Sequence, residues 1–205
     1  MINRKLLCSF LTAMVLIVGA SESYAVGLGF SFGVGRENWD DMDNRSYEEE
    51  DRKISNIGFV IDTAVARDKI FNYRFTFMKE ENEADGGAVD MHGISMTHDF
   101  GIAVYRYRVV RVWVGLEVKA ISYNHLSSSS SGNRIEGDAI GLGVGPVVGV
   151  NVHLPSFVSF SFTAAYHIIG MYSLDFTTED RYEDLGVDST NGLYWNASII
   201  FRIDE

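Results

Sequence analysis

Residues 110–120 read VRVWVGLEVKA and alternate strictly between two kinds of side chain. The even-numbered positions are all apolar, whereas Arg111, Glu117 and Lys119 lie among the odd-numbered ones. A period of two residues predicts a β-strand with two unlike faces. The fold depends on which face is buried, because a soluble sheet buries its apolar face and a membrane barrel presents that face to lipid.

Seven further segments share this period, and polar connections separate them. The eight predicted strands span residues 26–36, 53–64, 70–79, 90–105, 110–123, 138–153, 157–175 and 193–203. Long polar connections (37–52, 80–89, 124–137, 176–192) alternate with short ones (65–69, 106–109, 154–156). Strict alternation places all long loops at one rim. The sequence therefore predicts an all-β fold, an eight-stranded antiparallel up-and-down transmembrane β-barrel.

The composition of the two faces predicts which of them meets lipid. One face of every segment is rich in Phe, Leu, Ile and Val, while the other is rich in Gly and Ser. An eight-stranded barrel has a narrow interior, which suits the smaller set, and a Gly/Ser face is a poor coat for water. We therefore place the apolar face in lipid, against the alternative of a soluble lipocalin-like barrel. Interfacial aromatics are expected at both rims: Tyr105, Tyr107, Phe157, Phe77, Tyr123 and Tyr172.

Residues 1–25 have the pattern of a secretory signal peptide. Arg4 and Lys5 precede an uncharged run at 6–20, and the small-x-small site Ser23-Tyr24-Ala25 follows. We predict export, with cleavage after Ala25, which leaves residues 26–205 as one barrel domain. The only cysteine, Cys8, would be removed with the signal, so the exported chain would contain no disulfide.

The net charge of −11 argues against nucleic acid as a partner, because phosphate binding needs a basic surface. Much of the acid falls in the first long connection, where residues 37–51 contain eight carboxylates and one basic residue, Arg45. Clustered carboxylates suit calcium, but the spacing of a calcium loop is absent. We predict no metal site and no cofactor.

Seven charged residues fall on the predicted interior face. They are Asp62, Arg74, Asp99, Arg111, Glu117, Lys119 and Arg202. Four are basic and three acidic, and isolated charges in a narrow interior would be costly. This lumen charge network either forms ion pairs that plug the barrel or lines a narrow polar pore.

Together, the export signal, the eight segments, the loop pattern and the last strand resemble the small OmpA/OmpX-type outer-membrane barrels of Gram-negative bacteria. Members of that family tend to end in a terminal aromatic residue that the barrel-assembly machinery recognises. Here Trp195, Ala197, Ile199 and Phe201 keep the phase, but four residues follow Phe201. The resemblance implies an outer-membrane location, insertion by the assembly machinery, and contact with membrane lipids and lipopolysaccharide. It identifies no extracellular partner.

Three functions remain open on the sequence. The first is a structural or surface-interaction role with long acidic extracellular loops, and the second is a narrow, porin-like passive channel. The third is lipid A modification, because His125, Ser127 and Glu136 resemble the His-x-Ser plus Glu arrangement of outer-membrane lipid A deacylases. Ser128 stands where that family has Asn, and we expect the protein not to be an enzyme.

Overall fold

The computed structural model describes residues 26–40, 50–63, 70–84, 90–127, 136–155, 157–178, 181–182 and 187–203. Its strands are β1 (Val26–Asp40), β2 (Glu50–Asp62), β3 (Phe71–Ala84), β4 (Asp90–Tyr107), β5 (Val110–Ser127), β6 (Glu136–His153), β7 (Val158–Thr178), β8 (Arg181–Tyr182) and β9 (Val187–Ile203). Within these ranges no helix is long and apolar enough to span a bilayer.

Eight of the strands close into a barrel. Each long strand pairs antiparallel with its neighbours along the chain, and β1 pairs with β9 to complete the ring. The two-residue β8 pairs only with the end of β7. Closure leaves no free sheet edge in the wall, as a structure that spans hydrocarbon requires. The predicted all-β, eight-stranded, up-and-down architecture is confirmed.

The strands are strongly staggered. Following paired residues once around the barrel from Gly27 leads back to Glu37, ten residues further along β1. A large stagger goes with a large strand tilt. Residues that are far apart along the chain therefore lie at the same height inside the barrel.

An apolar belt covers the outer wall and ends sharply. On β3 the outward residues are aromatic up to Phe77, and the next outward residue is Lys79. On β2 the change falls between Ser55 and Ile57, and Ile57 is paired with Lys79. Since neighbouring strands change at the same height, these positions mark one membrane boundary. The structure thus confirms that the apolar face is outside.

We call the rim beyond Phe77 the loop rim and the opposite one the turn rim. The turn rim carries Tyr105, Tyr107 and Phe157, all exposed as expected for interfacial aromatics. Tyr123 was expected in the interfacial ring at the loop rim, and this is wrong, because its side chain is fully buried inside the barrel.

The strands at the loop rim are longer than predicted. The connection between β3 and β4 is residues 85–89 rather than 80–89, and that between β2 and β3 spans 63–70. The predicted strict alternation of long and short connections is therefore wrong for these two connections. The physical reason is that the change from apolar to polar outward residues marks the membrane boundary, whereas backbone pairing continues beyond it.

Candidate functional site

The barrel interior holds the densest collection of charged side chains in the described part of the chain. Buried there are Glu37, Arg52, Asp62, Arg74, Glu80, Asp99, Arg111, Glu117, Lys119, His153 and His167. Six of the seven predicted interior charges are among them. The seventh, Arg202, is half-buried at the turn rim, where its Nη2 donates to the carbonyl of Leu154 at 2.9 Å.

Arg74 is the centre of a turn-side cluster, which also comprises Asp62, Trp113, Asn151 and Ser161. Its guanidinium forms a buried ion pair with Asp62 on the adjacent strand, with Nε to Oδ2 at 3.0 Å. Nη2 also donates to Ser161 on β7 and to Asn151 on β6 at 3.4 Å. Because β7 lies opposite β3 in the eight-membered ring, the Arg74 side chain crosses the lumen.

Trp113 fills the remaining space in the turn-side cluster. The Arg74 guanidinium carbon lies 5.4 Å from the centre of its ring, and its Nε1 donates to Asn151 at 3.3 Å. Gly101 and Gly149 lie on the strands to either side. A Cβ on Gly149 would come within 2.3 Å of the indole, and one on Gly101 within 2.6 Å. Glycine at these positions makes room for the tryptophan.

Asp62, Arg74, Asp99 and Glu117 are successive cross-strand partners over β2 to β5. They form one line of charge along the inner wall. Glu117 extends the line across the interior, since its Oε1 lies 2.8 Å from Nε2 of His167 on β7. This contact links β5 to β7 inside the barrel.

A loop-side cluster fills the other half of the interior, and it comprises Glu37, Arg52, Glu80, Asn82, Lys119, Tyr123 and Tyr194. Lys119 Nζ lies 3.0 Å from Glu80, and Tyr123 donates to the same carboxylate at 2.8 Å. The Lys119 ammonium also lies 3.8 Å from the centre of the Tyr194 ring, which comes from β9. A buried ammonium held by a carboxylate and an aromatic face is electrostatically compensated.

Asn82 joins the two ends of the loop-side cluster. Its Nδ2 donates to Glu37 at 2.9 Å, and its Oδ1 accepts from Arg52 Nε at 2.6 Å. Tyr194 donates its hydroxyl to the other oxygen of Glu37. Four strands are thus bridged at one level of the barrel.

Sequence analysis missed Glu37, Arg52 and Glu80 as interior residues, because it placed them in loops. The signal was present, since extending the inward phase Gly27, Ser31 and Gly33 on β1 reaches Glu37. The same continuation along β3 from Arg74 reaches Glu80. A charged residue at an inward position therefore need not end a strand, since Glu37 and Glu80 are buried inside the barrel.

The interior near the loop rim is also partly apolar. Buried there together are Ile54, Met91, Ile121, Tyr123, Ala139, Ile169 and Tyr194. Close-packed apolar side chains exclude water from a narrow lumen. The interior is therefore occupied by polar networks at two levels and by an apolar layer.

The predicted catalytic candidates lie at the loop end of two paired strands. His125 and Ser127 are on β5 and Glu136 is on β6, but their side chains lie outside the described part of the structure. Among the described side chains, no group of three or more His, Cys, Asp or Glu could hold a metal ion.

Comparisons with known proteins show a likeness of fold only. No family model matches the chain, and no curated protein matches it either. Among solved structures, the outer-membrane protein OprG of Pseudomonas aeruginosa is similar with a TM-score of 0.54, at 13% identity, over 88% of this chain and 95% of that one.

Two other small barrels are more distant. Neisserial surface protein A has a TM-score of 0.41 and 13% identity over 84% of this chain and 96% of its own. The attachment invasion locus protein Ail of Yersinia pestis has a TM-score of 0.38 and 10% identity over 88% of this chain and 100% of its own.

The closed eight-stranded wall, its outward apolar belt and its filled polar interior define the class. The protein is a small outer-membrane β-barrel.

Proposed function

We propose that the protein is a non-conducting outer-membrane barrel whose working surface is its loop rim, in a structural or surface-interaction role. The observation that carries this proposal is the contact of Arg74 on β3 with Ser161 on β7, which crosses the lumen. The loop-side cluster crosses it a second time through Lys119 and Tyr194. An interior closed at two levels serves to hold a rigid wall, and a rigid wall holds loops in place.

A planar-bilayer conductance measurement tests this function. We expect the wild-type barrel to give no stepwise conductance at high protein load. Arg74→Ser combined with Trp113→Gly should open the turn-side cluster, and Lys119→Ser with Tyr194→Gly the loop-side cluster. All four together should produce measurable steps, whereas Arg36→Ser on the outer wall should not. Stable steps from the wild type, altered by Arg74→Ser, would favour the narrow passive channel instead.

The acidity of the loops favours extracellular partners with a basic surface. Residues 41–49, which join β1 to β2, contain four acidic residues and one basic residue. Replacing this segment by an uncharged linker of equal length should leave the barrel folded and reduce adhesion of cells to cationic surfaces. Unchanged adhesion would remove this loop from the proposal.

Lipopolysaccharide is the lipid partner that we propose. Arg36 and Lys53 are paired neighbours on the outer wall just beyond the apolar belt, and they line a cavity of 460 Å³ together with Glu83 and Trp195. A cation pair above an apolar surface suits a lipid phosphate.

Insertion by the barrel-assembly machinery is likewise proposed, with Phe201 of β9 as the aromatic residue that the machinery recognises.

We do not propose catalysis, and a direct assay addresses it. Cells that express the wild type and Ser127→Ala should give identical lipid A profiles. A deacylated species present only with the wild type would overturn this expectation and assign His125, Ser127 and Glu136 to a catalytic triad.

A further inference from the structure

A cavity of 350 Å³ opens at the turn rim, on the side away from the loops. Its lining residues are Arg106, Tyr107, Arg108, Val110, Arg111 and His153. Three of these six carry a guanidinium, and none of these described lining residues is acidic. In a chain of net charge −11, such a concentration of positive charge in one concave site is unusual.

A bulge in β4 creates this concentration. The pairing of β4 with β5 shifts between Ala103 and Tyr105, and beyond the shift Arg106 is the direct cross-strand partner of Arg111. Both residues line the cavity, one from each of the two paired strands.

Arg111 forms the fixed wall of the pocket. Its side chain is almost completely buried, and its Nη2 donates to the carbonyl of Ile70 at 3.3 Å. Behind it, the buried His153 lies with Nδ1 2.9 Å from the hydroxyl of Ser159, and its backbone N–H donates to the carbonyl of Val109 in the turn. One cation of the pocket is thus held in place before any ligand arrives.

Arg108 completes the site from the two-residue turn between β4 and β5. Its φ of 42° lies in the left-handed region, where glycine or asparagine is the usual residue. The Arg108 guanidinium carbon lies 5.4 Å from the centre of the Tyr107 ring. A non-glycine residue held in this conformation at a cavity is consistent with a binding role.

We propose that this turn-rim pocket binds a phosphate group from the periplasmic side. Guanidinium groups match phosphate oxygens with two parallel hydrogen bonds, which is the geometry that arginine, rather than lysine, provides. The phosphate is carried either by a phospholipid of the inner leaflet or by a soluble anion. The site is separate from the loop rim, so it does not depend on the proposed surface role.

Titration calorimetry on the full barrel in phosphate-free detergent tests the site, with inorganic phosphate and short-chain phosphatidylglycerol as separate probes at matched ionic strength. The test variant is Arg106→Gln with Arg108→Gln, both exposed residues whose replacement should leave the fold intact. The control is Lys79→Gln, which removes an exposed cation at the other rim. Heat-modifiable migration on gels checks folding of each variant.

We expect at least a tenfold weaker affinity in the test variant and no change in the control. Binding of inorganic phosphate with this pattern assigns a soluble anion, and binding of phosphatidylglycerol alone with this pattern assigns a lipid headgroup. Absence of binding to both probes, or equal loss in the test variant and the control, would overturn the proposal.

Discussion

Arg74 on β3 donates a hydrogen bond to Ser161 on β7, a residue 87 positions away along the chain and on the opposite wall of the barrel. The same guanidinium is ion-paired with Asp62, so one side chain joins adjacent and opposite walls. This relationship makes Arg74 the most informative position for mutagenesis.

Arg74→Ala should destabilise the barrel strongly. The substitution leaves the Asp62 carboxylate buried without its partner, and breaking a buried ion pair in this way costs about 3–5 kcal/mol. The measurement is the free energy of unfolding in urea from lipid vesicles. Lys79→Ala on the same strand is the matched control, because the Lys79–Glu81 pair is exposed and such pairs contribute little to stability. Equal effects of the two substitutions would contradict the buried pair.

Gly149→Val should destabilise through a clash with Trp113. Overpacking of this kind costs about 1–3 kcal/mol. In a Trp113→Ala background the same glycine substitution should cost clearly less, because the indole that it meets is gone. A double-mutant cycle on unfolding free energies measures this difference. Additive effects would show that the two residues do not share the space.

The position of the apolar belt predicts a depth-dependent cost of charge on the outer wall. Phe59→Arg lies within the belt and should cost about 2–4 kcal/mol, whereas Ser55→Arg lies at its loop-side boundary and should cost about 0–1 kcal/mol. Both residues are on β2 and face outward, so they form a matched pair. Unfolding from phospholipid vesicles gives both values. If the two costs were alike, Phe59 would not contact lipid.

Glu81 lies beyond the belt, and its pKa is held below the ordinary value, chiefly by its hydrogen bond and charge interaction with Lys79. Because the pKa of Glu81 is lower in the folded protein than in the unfolded chain, its ionised carboxylate stabilises the fold at a pH above the unfolded pKa. This stabilisation is lost as the pH falls through the pKa of the folded state. Lys79→Gln should raise the pKa of Glu81 toward its ordinary value. The pKa of Glu81 is measured from its carboxyl chemical shift as a function of pH, with Arg36→Gln as the control. If Lys79→Gln left the pKa of Glu81 unchanged, Lys79 would be excluded as the cause of the lowered value.

The sequence alone predicts that Asp62, Arg74 and Glu117 lie in the interior, because each occupies an inward position in the part of its strand where the outward residues are apolar. It was not sufficient for Glu37 and Glu80. These two lie where the outward residues have already become polar, so the contrast between the faces disappears although the strand continues. Tyr123 was misplaced for a related reason, since an aromatic near a strand end suits both the interface and the interior.

Alternation along the chain determined that the protein is a closed barrel with its apolar face in lipid. This follows from local properties, since the pleat sends successive side chains to opposite faces and hydrocarbon accepts only the apolar set. Only the tertiary structure decided that Arg74 meets Ser161, that Lys119 meets Tyr194, and that Arg106 faces Arg111. Those contacts depend on the stagger of the closed ring and on a bulge in β4, which are set by pairing among all eight strands rather than by any one of them.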